Sequence, residues 1–178
     1  MECSIYNDAS QEKFKILVVE DNSGSSESIK ELIEESELYE VTIANNATQA
    51  RILFGTDQYL IILLDLGLNG SIETGIELCQ EFRKKDDNLY IVVMTAHCSA
   101  LFDNRLVESA DDFVRKPFDA DYLPFKLLFW SARSKRRMRL KCYIESRLVD
   151  YEKKLNKIRQ LDEQLDKLMK KTNWVFSG

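Results

Sequence analysis

The chain has 178 residues, 44% hydrophobic and 31% charged, with a formal net charge of −5. That balance suits a globular protein, no apolar run approaches the ~20 residues of a membrane span, and residues 1–13 lack the basic and apolar regions of a signal peptide. The charge is unevenly divided: residues 1–124 carry 24 Asp and Glu against 10 Lys and Arg, while residues 125–178 carry 6 against 15, so two parts with different jobs are expected, meeting near Pro124.

The acidic part alternates two periodicities. Residues 15–21 (KILVVED) form a β-rich apolar run that ends in acids. Residues 25–36 place Ile29, Leu32 and Ile33 at helical spacing, with serines able to cap the start. Residues 39–44 (YEVTIA) alternate as a strand, 47–54 read as a short helix, and 59–65 form a second continuous apolar strand. Helix is expected again over 75–85 and 101–110, strand over 89–95 and 112–115, and helix from 119 onward. Apolar runs such as ILVV and IILL, without strict alternation, suit strands buried on both faces. Five strands alternating with five helices therefore predict an α/β fold, with a parallel sheet covered on both sides.

The charged and hydroxyl residues fall at telling places on that frame. Glu20 and Asp21 close the first strand, Asp65 the third, Thr95 the fourth and Lys116 the fifth. In doubly wound sheets the carboxyl ends of the strands form the ligand crevice. Carboxylates converging there repel one another unless a cation or Lys116 compensates them. A few oxygen ligands open to water suit Mg²⁺ better than zinc. The cysteines Cys3, Cys79, Cys98 and Cys142 are scattered and form no C-x-x-C pair. Neither a disulfide framework nor a zinc site is expected, and a reducing cytoplasm is the expected compartment.

The motifs VVEDN at 18–22, LLDLGL at 63–68, VVMTAH at 92–97 and ADDFVRKPF at 110–118 occur in this order. Together they resemble the receiver domain of two-component response regulators, over about residues 14–133. The resemblance implies a flavodoxin-like five-stranded sheet ordered 2-1-3-4-5. It implies that Asp65 accepts a phosphoryl group from a histidine kinase or a histidine phosphotransfer protein. By position, Asp21, Asp65 and the Gly67 carbonyl would bind Mg²⁺, with Glu20 acting through water. Lys116 would pair with Asp65 and then with the phosphoryl group, while Thr95 and Phe113 would form the switch. The family usually has Pro where Asn69 stands, and reaches its next glycine two residues before Gly75, so the loop 69–75 is expected to be longer. His97 occupies a position similar to the family's tuning site for dephosphorylation. The bland alternative is an exposed loop histidine.

Beyond the receiver, residues 134–172 read as a helical coiled-coil extension, after a flexible segment 1–13 and a receiver over 14–133. Ile144, Leu148, Tyr151, Leu155 and Ile158 step by 4, 3, 4 and 3, a heptad seam, and Leu161, Leu165 and Leu168 continue it after an irregularity. Such an apolar seam calls for a partner helix, and a homodimer is expected. The cluster RSKRRMRLK at 133–141 admits two readings: a solvated helix face, or a nucleic-acid contact under phosphorylation control. No helix-turn-helix pattern or aromatic platform follows it, so the first is preferred. The segment 173–178 (NWVFSG) is read as a tail packed in a dimer or the start of an output domain. The expected role is a phosphoacceptor switch rather than an enzyme, because nothing outside the crevice clusters catalytically.

Overall fold

A computed structural model describes residues 13–97, 100, 102–118 and 122–175, with side chains described as far as Met169. The expectations for residues 1–12 and for the final NWVFSG side chains lie outside the described residues. The strands are β1 (Phe14–Val19), β2 (Tyr39–Ala44), β3 (Ile61–Asp65), β4 (Tyr90–Thr95) and β5 (Asp112–Arg115). The helices are α1 (Ser23–Glu34), α2 (Ala47–Thr56), α3 (Ile72–Lys85), α4 (Asn104–Ser109) and α5 (Tyr122–Val175). All strand pairs are parallel, in the order β2-β1-β3-β4-β5, which is the flavodoxin-like order expected from the sequence.

The unalternating apolar runs are explained by two cores. In β1, Leu17 and Val19 face one helical layer while Ile16 and Val18 face the other, and all four are fully buried. The first core is closed by Ala47 and Ala50 of α2, by Ile76, Cys79 and Phe82 of α3, and by Leu106 of α4. The second is closed by Ile29 and Ile33 of α1 and by Leu123, Leu127 and Trp130 of α5. Each side chain of this kind, fully buried, is worth roughly 1.5–3 kcal/mol against exposure. A strand packed on both faces cannot slip by one residue without exchanging both sets.

The starts of α1, α2 and α4 are capped by side chains, though not always by the expected ones. Asn22, rather than a serine, caps α1 and accepts from the Ser25 N–H at 2.9 Å. Asn46 caps α2 through the Gln49 N–H at 2.8 Å, and Gln49 returns a bond to the Asn45 N–H. β1 stops at Val19, so Glu20 and Asp21 lie just beyond it instead of inside it, and α4 begins at Asn104 on an Asp103 cap.

The chain divides into two compact units, the first ending at Met138 and the second beginning at Arg139. The α5 residues of the first unit are pinned to the sheet by polar bonds as well as apolar contacts. The Trp130 Nε1–H donates to Asp112 Oδ2 at 2.7 Å, Ser134 Oγ to the Leu60 carbonyl at 2.8 Å, and the Ser131 and Tyr39 hydroxyls are hydrogen-bonded at 2.9 Å. Farther on, Arg137 donates to Asp111 Oδ1 at 2.5 Å and to the Leu89 carbonyl at 3.1 Å. The second unit is helical, and its seam residues Ile144, Leu148, Tyr151, Leu155, Ile158, Leu161, Leu165 and Leu168 are all exposed. Cys142 is disulfide-bonded, whereas the scattered cysteines led to no disulfide framework being expected.

Candidate functional site

The topology decides where a ligand can sit. The chain leaves β1 for β2 on one side and then crosses to β3 on the other, so the strand order reverses between β1 and β3. The helices that follow these two strands part there and leave a crevice at their carboxyl ends. The register sets Val19 beside Leu64, so Glu20 and Asp21 emerge next to Asp65. Carboxylate oxygens of Glu20, Asp21 and Asp65 lie within 4.8 Å of one another.

Three carboxylates this close need compensation. The Lys116 ammonium, one residue past β5, pairs with Glu20 Oε2 and stands 3.0 Å from Asp65 Oδ2. Glu20 is 2% exposed, so an unpaired charge there would be costly. The sequence leads to the expectation that Lys116 compensates the converging carboxylates and pairs with Asp65; the direct pairing with Glu20 is not specified by it, because β1 and β5 are distant in the chain and nothing local signals their meeting. Backbone groups hold the remaining oxygens. The Gly67 N–H donates to Asp65 Oδ1 at 3.3 Å, and the Asn69 N–H donates to Asp21 Oδ2 at 2.7 Å.

The loop after Asp65 is built on conformations that few residues adopt. Leu68–Gly70 forms a single 3-10 turn, with Asn69 at φ 53° and Gly70 at φ 74°, both left-handed. Asn and Gly are the residues that tolerate this. The turn is closed by Gly70 N–H to the Gly67 carbonyl at 3.1 Å and Ser71 N–H to the Leu68 carbonyl at 3.0 Å. At Gly75 a β-carbon would lie 2.5 Å from Leu66 Cα and 2.7 Å from its carbonyl oxygen, so α3 can back onto this loop only with glycine there. The delayed glycine noted in the sequence is therefore a packing requirement.

Thr95 is buried, and its Oγ1 accepts from the His97 N–H at 2.9 Å. The Lys116 N–H donates to the Thr95 carbonyl at 2.9 Å, which ties the strand ends carrying these two residues together. His97 itself is exposed, in keeping with the bland reading. Phe113, on β5 beside Val93, is partly buried against the first core. Beside Lys116 a cavity of roughly 510 Å³ is walled by Ser25, Ile29 and Leu32 of α1 and by Pro117 and Phe118. Among the described residues no helix is long and apolar enough to cross a membrane.

The donor set of this cluster is all oxygen, as a hard divalent cation requires. The family model of the response regulator receiver domain matches residues 16–128. The transcriptional regulatory protein KdpE of Staphylococcus aureus is 35% identical over 109 residues, 61% of this chain and 46% of that protein. The regulatory protein VanRB of Enterococcus faecalis is 33% identical over 105 residues, 58% and 46% respectively. The chain thus spans about half the length of these curated relatives. Among solved structures, the response regulator TrrA of Thermotoga maritima, in complex with Mg²⁺ and BeF, superposes with a TM-score of 0.60 at 32% identity. That match covers 66% of this chain and 98% of TrrA. The Francisella response regulator 1452 receiver domain gives 0.61 at 27%, covering 68% and 99%. From the strand order, the acidic crevice and these likenesses, the chain belongs to the response regulator receiver domain family and carries a long helical extension at its carboxyl end.

Proposed function

We propose that Asp65 is a phosphoacceptor, charged by a histidine kinase or a histidine phosphotransfer protein, and that the resulting change is relayed through α5 to a dimeric coiled coil. The observation that carries this reading is the position of Asp65. It ends a buried strand at the switch point of the sheet, 3.0 Å from Lys116 and within a three-carboxylate cluster.

A carboxylate oxygen of Asp65 attacks phosphorus, and an acyl phosphate bond forms as the donor's phosphorus–nitrogen bond breaks. The bonding pair returns to the imidazole nitrogen of the donor. Lys116 moves its charge from the carboxylate to a phosphoryl oxygen, and the Thr95 hydroxyl, now accepting from His97, turns to donate to the same group. Asp21, Asp65 and the Gly67 carbonyl would hold Mg²⁺, with Glu20 acting through water. When bound, the cation supplies charge neutralisation for a transfer that depends chiefly on positioning and electrostatics. The TrrA complex with Mg²⁺ and BeF supports this assignment by relationship. The chemistry is confined to gaining and losing this group, so the chain acts as a switch rather than as an independent enzyme, in the cytoplasm where such donors reside.

Thr95 sits on β4 and Phe113 on the adjacent β5, whose first residue Asp112 holds Trp130 and Lys126 of α5. Motion of Phe113 with Thr95 would therefore be felt by α5. The extension supplies the dimer: its seam is apolar and exposed within one chain. In this reading the receiver extends to Met138 rather than the expected 133, the helix beyond it carries the coiled coil, and output passes through a partner or a further domain. The nucleic-acid reading of 133–141 is weakened because Arg137 is committed to Asp111 and Lys135 lies over the Phe14 ring at 3.6 Å.

Hydrogen exchange with beryllofluoride and Mg²⁺, which stand in for the phosphoryl state, tests the relay. Exchange over residues 112–118 and 122–138 should slow in the wild type. Thr95→Ala should still bind the analogue without the distal response. A full distal response in that variant would refute the relay.

A further inference from the structure

We infer that Asn69 is a positioning residue for the cation site, acting through its backbone rather than its side chain. The inference rests on the reading of the acidic cluster as a Mg²⁺ site. Lys116 pairs with Glu20 and Asp65, whereas Asp21 is held by the Asn69 N–H, 2.7 Å from its Oδ2. A backbone N–H donating to a carboxylate is a charge-assisted bond, stronger than a neutral one. It fixes the Asp21 rotamer and leaves the other oxygen with its lone pairs for a cation.

The N–H points at Asp21 only because of the local conformation. Asn69 sits at φ 53°, ψ 32° within the turn closed by Gly67, Leu68, Gly70 and Ser71. Proline, the residue usual in the family at this position, has φ fixed near −65° and no N–H. It can supply neither the turn nor the donor. In this chain the loop is instead tied to Asp21 by a hydrogen bond from its backbone. The Asn-Gly pair at 69–70 is the sequence signal, since this dipeptide favours left-handed backbone. The Asn69 side chain is not needed for the effect, so glycine should replace it and proline should not.

The test is Mg²⁺ affinity of the whole chain by isothermal titration calorimetry, for wild type, Asn69→Pro and Asn69→Gly. Loss of a group that orients a metal ligand typically weakens metal binding about 10–100-fold. Asn69→Pro should fall toward the lower end, about tenfold, and Asn69→Gly should stay within about twofold. A proline variant that binds as tightly as wild type, or a glycine variant as weak as proline, would overturn the inference. If wild type itself binds no Mg²⁺, the underlying reading of the site fails, and the inference with it. A metal-free measurement tests the hydrogen bond itself without recourse to the proline variant. By NMR, the Asn69 amide should be protected from exchange in wild type and lose that protection in Asp21→Ala. Equal protection in both would show that the bond to Asp21 does not hold the loop.

Discussion

Lys116 and Glu20, 96 positions apart in sequence, form an ion pair in which the carboxylate is nearly inaccessible to water, and the same ammonium reaches Asp65. The site thus carries one internal positive charge, shared between two of its three acids. Removing it should leave a buried carboxylate unpaired, at a cost of about 3–5 kcal/mol. Lys116→Met is expected to lower the melting temperature in EDTA. Saturating Mg²⁺ should raise it more in the variant than in wild type, because the added cation then replaces a missing charge. An equal gain in both proteins would show that Lys116 and the metal do not share the work.

A second anchor lies at the opposite end of the sheet. Asp111, largely buried, accepts from Arg83 at 2.6 Å, from Arg137 at 2.5 Å and from the Ile91 N–H at 2.8 Å. It joins α3, β4 and α5 at one carboxylate. Asp111→Ala should cost about 3–5 kcal/mol in urea unfolding, because two guanidinium groups lose their counter-charge. Asp111→Asn should cost less, since it still accepts hydrogen bonds. Phosphoryl acceptance should persist in both, the cluster being remote from Asp65.

Burial pushes the Cys79 thiol from 9.0 up to about 12. A folded-state value above the unfolded one means that the stabilising contribution is complete below about pH 9 and declines as pH rises toward 12. Stability of wild type should therefore fall between those limits, and Cys79→Val should show a flatter profile. Iodoacetamide at pH 8 should leave Cys79 unmodified in the native protein and label it in denaturant. Native labelling would mean that the first core opens at α3.

Most of the sheet was legible because strands buried on both faces read as unbroken apolar runs, as ILVV and IILL do. The acids at the strand ends were legible for a related reason: a charge has no place at the end of a buried run unless the strand emerges into a crevice. Less legible were features made by approach rather than pattern. Nothing local announces that Glu20 meets Lys116, that Gly75 must admit Leu66, or that Asn22 caps α1 in place of the adjacent serines. The left-handed Asn69 was signalled by its glycine neighbour, but its bond to Asp21 depends on the β1–β3 register.

The extension invites an association experiment. Leu148 and Leu155, 56% and 49% exposed in one chain, lie on the 3,4-spaced seam. Burying such a side chain is worth roughly 1.5–3 kcal/mol, so several in each of two copies can exceed an association cost of about 4–15 kcal/mol. Light scattering should report a dimer for wild type and a monomer for Leu148→Glu with Leu155→Glu. The dimer should tighten with salt, because Lys153, Lys154 and Lys157 border the seam and repel across it. A double variant that remains dimeric would move the interface to the receiver.

The central claim is the acceptor role of Asp65, and intact-mass spectrometry after incubation with acetyl phosphate and Mg²⁺ tests it most directly. Wild type should gain a single phosphoryl group, lose it on treatment with hydroxylamine, and yield a modified peptide containing Asp65. Asp65→Asn should gain none, while Asp111→Asn should label as wild type does. Undiminished labelling of Asp65→Asn, or a phosphoryl group mapped to another residue in wild type, would contradict the account.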